Sequence, residues 1–196
     1  MILSASVMAH ERRSLWVSEL LGSLDRPVPV AWDRESDVWE TGSRAWALFD
    51  PRADWHLVIQ DDVRVVPDLL ARTAALLDGL EHRGPVSLYI GRGRPRQAAV
   101  GRAVAAAVGG WVTMPWLLWG PAFALPTAQI PRMLAACRVG SREYDRRISS
   151  YFERQHIPTL YTLPCLVDHR DEGSLLGHDR GVERRAWEWA GESTRA

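Results

Sequence analysis

Trp55-His56-Leu57-Val58-Ile59-Gln60-Asp61-Asp62-Val63 is an apolar run that stops in a pair of carboxylates. Leu57, Val58 and Ile59 have the composition of a strand buried on both faces. Such a strand belongs to a parallel sheet flanked by helices, and ligands of open α/β sheets sit at the carboxyl ends of the strands. Asp61 and Asp62 fall at that end. Adjacent carboxylates repel each other, and a divalent cation relieves the repulsion through oxygen ligands. A plainer alternative is a solvated turn, with Asp62 capping a helix beyond it.

Upstream, Ile2 to Val7 reads as a small, apolar first strand, and His10, Glu11, Arg12 and Arg13 as the loop at its carboxyl end. Ser14 to Leu24 carries Leu15, Trp16, Leu20 and Leu21 at helical spacing. Val28 to Trp32 is a second strand, followed by Asp33 and Arg34. Thr41-Gly42-Ser43-Arg44 precedes a short helix, Ala45 to Phe49. Strand, helix, strand, helix, strand predicts parallel strands joined by right-handed crossovers. The expected fold is α/β: one Rossmann-like domain over 1–190, with a mixed, mostly parallel sheet flanked by helices, and a frayed tail over 191–196.

Downstream, Pro67 opens a helix striped by Leu69, Leu70, Leu76, Leu77 and Leu80 and stopped by Gly84. Val86 to Ile90 is a strand, and Gly91-Arg92-Gly93-Arg94-Pro95-Arg96 leads from it into an Ala-rich helix. A dinucleotide loop needs glycine where Arg96 stands and an acid further on, so a dinucleotide site is excluded. Arg92, Arg94 and Arg96 have no carboxylate beside them in the sequence. They face solvent, or they grip phosphates of an acceptor such as a nucleic-acid backbone. Trp111 to Trp119 is apolar, broken by Pro115, and runs into Gly120. Pro126 to Arg138 is a helix that Pro131 kinks or delays. Ser141 caps a helix over Arg142 to Gln155, with Tyr144, Ile148, Tyr151 and Phe152 on one face. Asp145 stands in its first turn, where an acid also complements the helix dipole. Thr159 to Leu163 is the final strand, followed by Pro164-Cys165-Leu166-Val167-Asp168-His169.

A chain of 196 residues that is 46% hydrophobic is globular and long enough for a full core. Its net charge of +0 exerts no bulk pull toward nucleic acid or membrane. Every basic residue is arginine, a side chain suited to phosphate. The ten tryptophans offer aromatic walls for sugars and bases, or simply fill the core. Cys137 and Cys165 make neither a disulfide framework nor a zinc site. No apolar run reaches the roughly 20 residues of a membrane helix, and no signal peptide opens the chain. A soluble, cytoplasmic protein is expected.

The apolar strand ending in Gln60-Asp61-Asp62-Val63 resembles the DXD element of GT-A glycosyltransferases, closest to families whose motif reads Glu-Asp-Asp-Val. The resemblance implies that Asp62 holds a metal bound to the diphosphate of a nucleotide-sugar, beside Asp61, and that Gln60 touches the ribose. In such enzymes the loop after the first strand and the helix before the motif frame base and ribose, which implies Ala9, His10, Asp33, Gly42 and Arg44 as donor contacts. Gly120 matches a turn beneath the donor sugar. Glu143-Tyr144-Asp145 is similar to the xED motif of inverting members, whose last carboxylate is the general base, so Asp145 is the implied base and Glu143 its reserve. Pro164 to His169 resembles a Pro-Ser-Leu-Val-x-His segment, with Cys165 in place of the serine, in which the histidine completes the metal shell or contacts the diphosphate, and Ser174 would then meet a phosphate oxygen. An imidazole ligand suits Mn²⁺ better than Mg²⁺. The basic, aromatic tail around Arg180, Arg184, Arg185, Trp187 and Trp189 would close over the donor.

The resemblance therefore implies a metal-dependent, inverting transfer of a sugar to an acceptor hydroxyl on a hydroxymethylated DNA base, a protein or a glycan. Arg92, Arg94 and Arg96 belong to the acceptor side on this reading. A nucleotidyltransferase also uses carboxylate-bound metal, but Met8-Ala9-His10-Glu11 lacks the glycines of its phosphate loop. A nucleic-acid-binding module without catalysis would rest on the same arginines and fits the neutral charge poorly.

Overall fold

The computed structural model describes residues 1–34, 36–92, 96–140, 143–170 and 184–192. β1 (Leu3–His10), β2 (Val30–Asp33) and β3 (Trp55–Gln60) are parallel, with β1 in the middle. α1 (Ser14–Ser23) and α2 (Val38–Ala47) make the crossovers and lie on opposite faces of the sheet. Val17 and Leu20 of α1 join Leu3, Ala5, Val7, Leu57 and Ile59 in one core. Ala45 and Trp46 of α2 join Ala31 and Val58 in the other. Alternate side chains along a strand point to opposite faces, so each buried strand feeds both cores.

Six further strands and four helices complete the described chain: β4 (Val63–Val65), α3 (Leu69–Leu77), β5 (Val86–Ser87), α4 (Gln97–Ala105), β6 (Trp111–Met114), β7 (Ala122–Pro126), α5 (Ile130–Ala136), α6 (Tyr144–Glu153), β8 (Thr159–Thr162) and β9 (Val167–His169). The seven-stranded sheet has the order β2-β1-β3-β7-β5-β8-β6. β7 and β6 run against the other five. The α/β fold with a mixed, mostly parallel sheet is therefore as the sequence predicts. α3 and α4 cover the α1 face, and α5 and α6 the α2 face.

On the α2 side, β1 turns Ser4 and Ser6 toward buried His56 of β3. Ser6 Oγ donates to the Ala45 carbonyl at 2.9 Å, and the His56 ring meets Ser4 Oγ at 2.8 Å and Ser6 Oγ at 3.1 Å. Burial pushes the His56 pKa down to about 4, so the ring is neutral at pH 7.

Several boundaries differ from the sequence pattern. α2 starts well before Ala45 because the Asp37 carboxylate accepts the Glu40 N–H at 2.9 Å, so Gly42 and Arg44 lie inside the helix. No helix follows Asp62 directly: β4 pairs antiparallel with β9 in a separate two-stranded sheet, and the strand at Thr159 is not the last. β5 ends early because Leu88 and Ile90 give their carbonyls to Leu166 and Trp187, at 3.0 and 2.6 Å. α5 begins late, with Pro131 in its first turn. Glu143 occupies the N-cap of α6 without a side-chain cap, and Ser141 lies outside the described residues. Among the described residues no helix is long and apolar enough to cross a membrane.

Candidate functional site

From β1 the chain moves to β2 on one side, then returns past β1 to β3 on the other. A crevice opens outside the carboxyl ends of the strands at such a switch point. Here it is a cleft of about 240 Å³. Its walls are Met8, Ala9 and His10 from β1, Asp33 from β2, Val38 and Thr41 from α2, and Gln60, Asp61 and Asp62 from the end of β3. Arg12, Arg13, Ser36, His169 and Arg184 close it.

Both carboxylates of the acidic pair are buried. Asp61 Oδ2 accepts the His10 backbone N–H at 2.7 Å, and Asp61 Oδ1 accepts Arg13 Nη1 at 2.8 Å. The same Nη1 donates to Asp62 Oδ2 at 2.8 Å. Burial and the charge of Asp62 push the Asp61 carboxyl up, against the His10 N–H and Arg13. A cation does meet the pair, as electrostatics demands, but it is a guanidinium of the chain itself, and it offsets only one of the two charges. Asp62 Oδ1 is buried and has no hydrogen-bond partner among the described residues.

The β4–β9 ladder sets Val63 opposite His169, which brings His169 beside Asp62. His169 Nδ1 meets the Arg170 carbonyl at 2.7 Å. A carbonyl only accepts, so Nδ1 donates to it, and in the neutral form of the ring the lone pair is on Nε2. That atom lies 3.4 Å from Asp62 Oδ2 and 3.4 Å from Arg184 Nη1. The orphaned oxygen of Asp62 and the His169 lone pair are donor types that fit a divalent cation. Among the described residues no cluster of three or more His, Cys, Asp or Glu is arranged around a metal position. A cation held here takes the rest of its shell from ligand oxygens and water.

Asp168 takes no part in the cleft: it is buried, paired with Arg64, and accepts the Ala186 N–H at 2.7 Å. Cys165 is also structural. Its sulfur accepts the Ile90 N–H at 3.2 Å, and burial pushes its thiol up to about 11.

Asp145 borders the cleft without lining it. A Cβ on Gly120 would lie 3.1 Å from Gln60 Nε2, 3.2 Å from the Tyr144 ring and 3.4 Å from Asp145 Cβ. A side chain there would have to push the β3 end and the start of α6 apart by a few tenths of an ångström. Burial raises the Asp145 carboxyl to about 6, with the Arg146 N–H opposing and Glu143 adding to the rise. A carboxylate poised there suits general-base work near neutral pH. Glu143 is exposed and 3.4 Å from Arg146. Tyr144 points inward between them, its hydroxyl accepting the Trp46 indole N–H at 2.6 Å.

Gly42 and Arg44 are not on the cleft wall. Gly42 is buried against the Tyr144 ring. Arg44 ties α2 to β2, donating to the Trp32 carbonyl and pairing with Glu40, both at 2.6 Å. In the loop after β5, Arg92 and Arg96 are exposed, and each also has a partner within the chain. Arg92 donates twice to the Trp187 carbonyl, at 2.9 and 2.6 Å, and Arg96 stacks on Trp116 at 4.0 Å. Local sequence shows no carboxylate near them, but carbonyls and indole faces serve as partners too. Arg94 and Ser174 lie outside the described residues.

Arg184, which the resemblance puts in a tail closing over the donor, lines the cleft, whereas the local pattern does not mark Arg13 as a site residue. Arg13 follows from a physical requirement, since two buried adjacent carboxylates need a cation, and the loop after β1 holds the arginines that end beside them. No protein-family model matches the chain, and no curated protein matches it in sequence.

Proposed function

We propose that this protein is a metal-dependent glycosyltransferase that moves a sugar from a nucleotide-sugar to an acceptor hydroxyl with inversion. The observation that carries the reading is the cleft at the β1/β3 switch point, where Asp62, with its unpartnered Oδ1, meets the Nε2 lone pair of His169. The likeness of Gln60-Asp61-Asp62 and Glu143-Tyr144-Asp145 to GT-A motifs supports it.

Asp62 and His169 would hold a divalent cation, Mn²⁺ before Mg²⁺. When bound, the cation stabilises the departing diphosphate as a Lewis acid. Arg12, Arg13 and Arg184 supply positive charge on the same walls for the diphosphate. Asp33, Thr41, Ala9 and His10 shape the part of the cleft left for base and ribose. Asp145, which lies with Gln60 around Gly120, would take the proton of the attacking hydroxyl. Arg92 and Arg96 are exposed as well as partnered within the chain, so the acceptor is a hydroxyl of a modified DNA base, a protein or a glycan. The cytoplasmic location expected from the sequence belongs to the same reading.

The test is calorimetric titration of uridine, guanosine, adenosine, cytidine and thymidine diphosphates with Mn²⁺ and again with chelator. The expected result is binding of one of them that requires Mn²⁺. Equal affinity in both conditions, or no binding of any, sinks the reading.

A further inference from the structure

We propose that Arg13 is the built-in counter-cation of Asp61 and Asp62 and gates the site, so that a divalent cation loads well only together with a diphosphate. This deepens the glycosyltransferase reading and rests on it.

The geometry is specific. One nitrogen, Arg13 Nη1, lies 2.8 Å from both Asp61 Oδ1 and Asp62 Oδ2. Its side chain is only 10% exposed, so this is not a screened surface pair. The guanidinium is held from behind by Trp16, whose ring lies 5.1 Å from Arg13 and 5.8 Å from Arg170. Arg13 thus satisfies one oxygen of Asp62 and leaves the other, Oδ1, buried and unpartnered.

Charge balance gives the consequence. Two carboxylates and one guanidinium leave a single negative charge, centred where Oδ1 is open. A divalent cation added there overshoots to a net positive site and meets Arg13 across the same carboxylate. The repulsion disfavours the metal alone. A diphosphate arriving with the cation cancels the excess and gives Arg13 a second anion to bind. Without Arg13 the pair would match a divalent cation alone, and only Arg12 and Arg184 would be left for the diphosphate.

Mn²⁺ binding, without nucleotide, is to be measured by electron paramagnetic resonance on wild type, Arg13→Gln and Arg13→Lys, with melting temperatures with and without Mn²⁺. Arg13→Gln is expected to bind Mn²⁺ about tenfold or more tightly than wild type. It should also melt lower and be restored by Mn²⁺, a rescue that a purely structural arginine would not show. Arg13→Lys, which keeps the charge, should return toward wild-type affinity. Trp16→Leu, which loosens the guanidinium without removing charge, should shift Mn²⁺ affinity in the same direction as Arg13→Gln and serves if that variant does not fold. Wild type and variants binding Mn²⁺ alike overturns the gate and leaves the metal site standing. Binding by none of them overturns the metal site itself, and the gate with it.

Discussion

Val63 pairs with His169 across the β4–β9 ladder, and that register places His169 Nε2 3.4 Å from Asp62 Oδ2. A strand of three residues would be marginal alone, but here it is tied further by the Arg170 N–H donating to the Asp62 carbonyl at 2.8 Å. The two residues proposed to hold a cation are thereby held by backbone hydrogen bonds rather than by long side chains.

His169→Ala is expected to weaken Mn²⁺-supported nucleoside-diphosphate binding by about tenfold to a hundredfold. The β4–β9 pairing uses backbone atoms, so the melting temperature should change little. Calorimetry and a thermal melt on the same samples check both halves, and an unchanged affinity removes His169 from the site.

Asp145→Asn should be more stable than wild type at pH 7 and transfer about 10²–10⁴-fold more slowly. The sign follows from the raised carboxyl, about 6 against an ordinary 3.8. The folded protein binds that proton more tightly than the unfolded chain, so stability from the protonated form is full below about pH 4 and is lost as pH rises through 6. An amide keeps the neutral form at every pH. Urea midpoints at pH 7 beside single-turnover transfer rates decide it; a destabilised variant would mark Asp145 as a helix-start residue instead.

Gly42→Ala should destabilise the fold by about 1–3 kcal/mol through overpacking. The added methyl enters the Tyr144 ring, whose hydroxyl is fixed by Trp46 at 2.6 Å. Since Asp145 follows Tyr144 directly, transfer should fall as well, although Gly42 does not line the cleft. Denaturant unfolding and transfer assays give the two numbers.

Acid should destabilise the protein through His56. Its folded value of about 4 lies below the ordinary 6.5, so the unfolded chain takes the proton first. Stability is full above about pH 6.5 and is lost as pH falls toward 4. A gap of about 2.5 pH units at about 1.4 kcal/mol each puts the loss near 3 kcal/mol. His56→Gln should flatten that part of the pH profile, measured as urea midpoints at pH 7, 5.5 and 4; an unchanged slope would show that other groups carry it.

The two short strands illustrate what stays hidden in a linear reading. Val63–Val65 and Val167–His169 each have three residues, too few for an alternating pattern to register, and each is defined by the other. The start of α2 was legible in principle, since Asp37 three residues before Glu40 is a capping signal, but Thr41-Gly42 looks more like a break than a helix interior. Gly42 is there because the Tyr144 ring needs the space, a contact between residues on different helices.

Local composition determined the βαβαβ core and the acids at the end of β3. An apolar run of that length, stopped by carboxylates and preceded by two strand–helix alternations, has few other stable arrangements in water. The same holds for Asp145 at a helix start. Only the tertiary structure decided which cation meets Asp61 and Asp62, which nitrogen of His169 meets a carbonyl and which faces the cleft, and where Arg92 and Arg96 find partners. Those outcomes depend on partners brought together by sheet order and register. Arginine reaches carboxylates, carbonyls and indole rings alike, so its partner is chosen by what the fold places within its length.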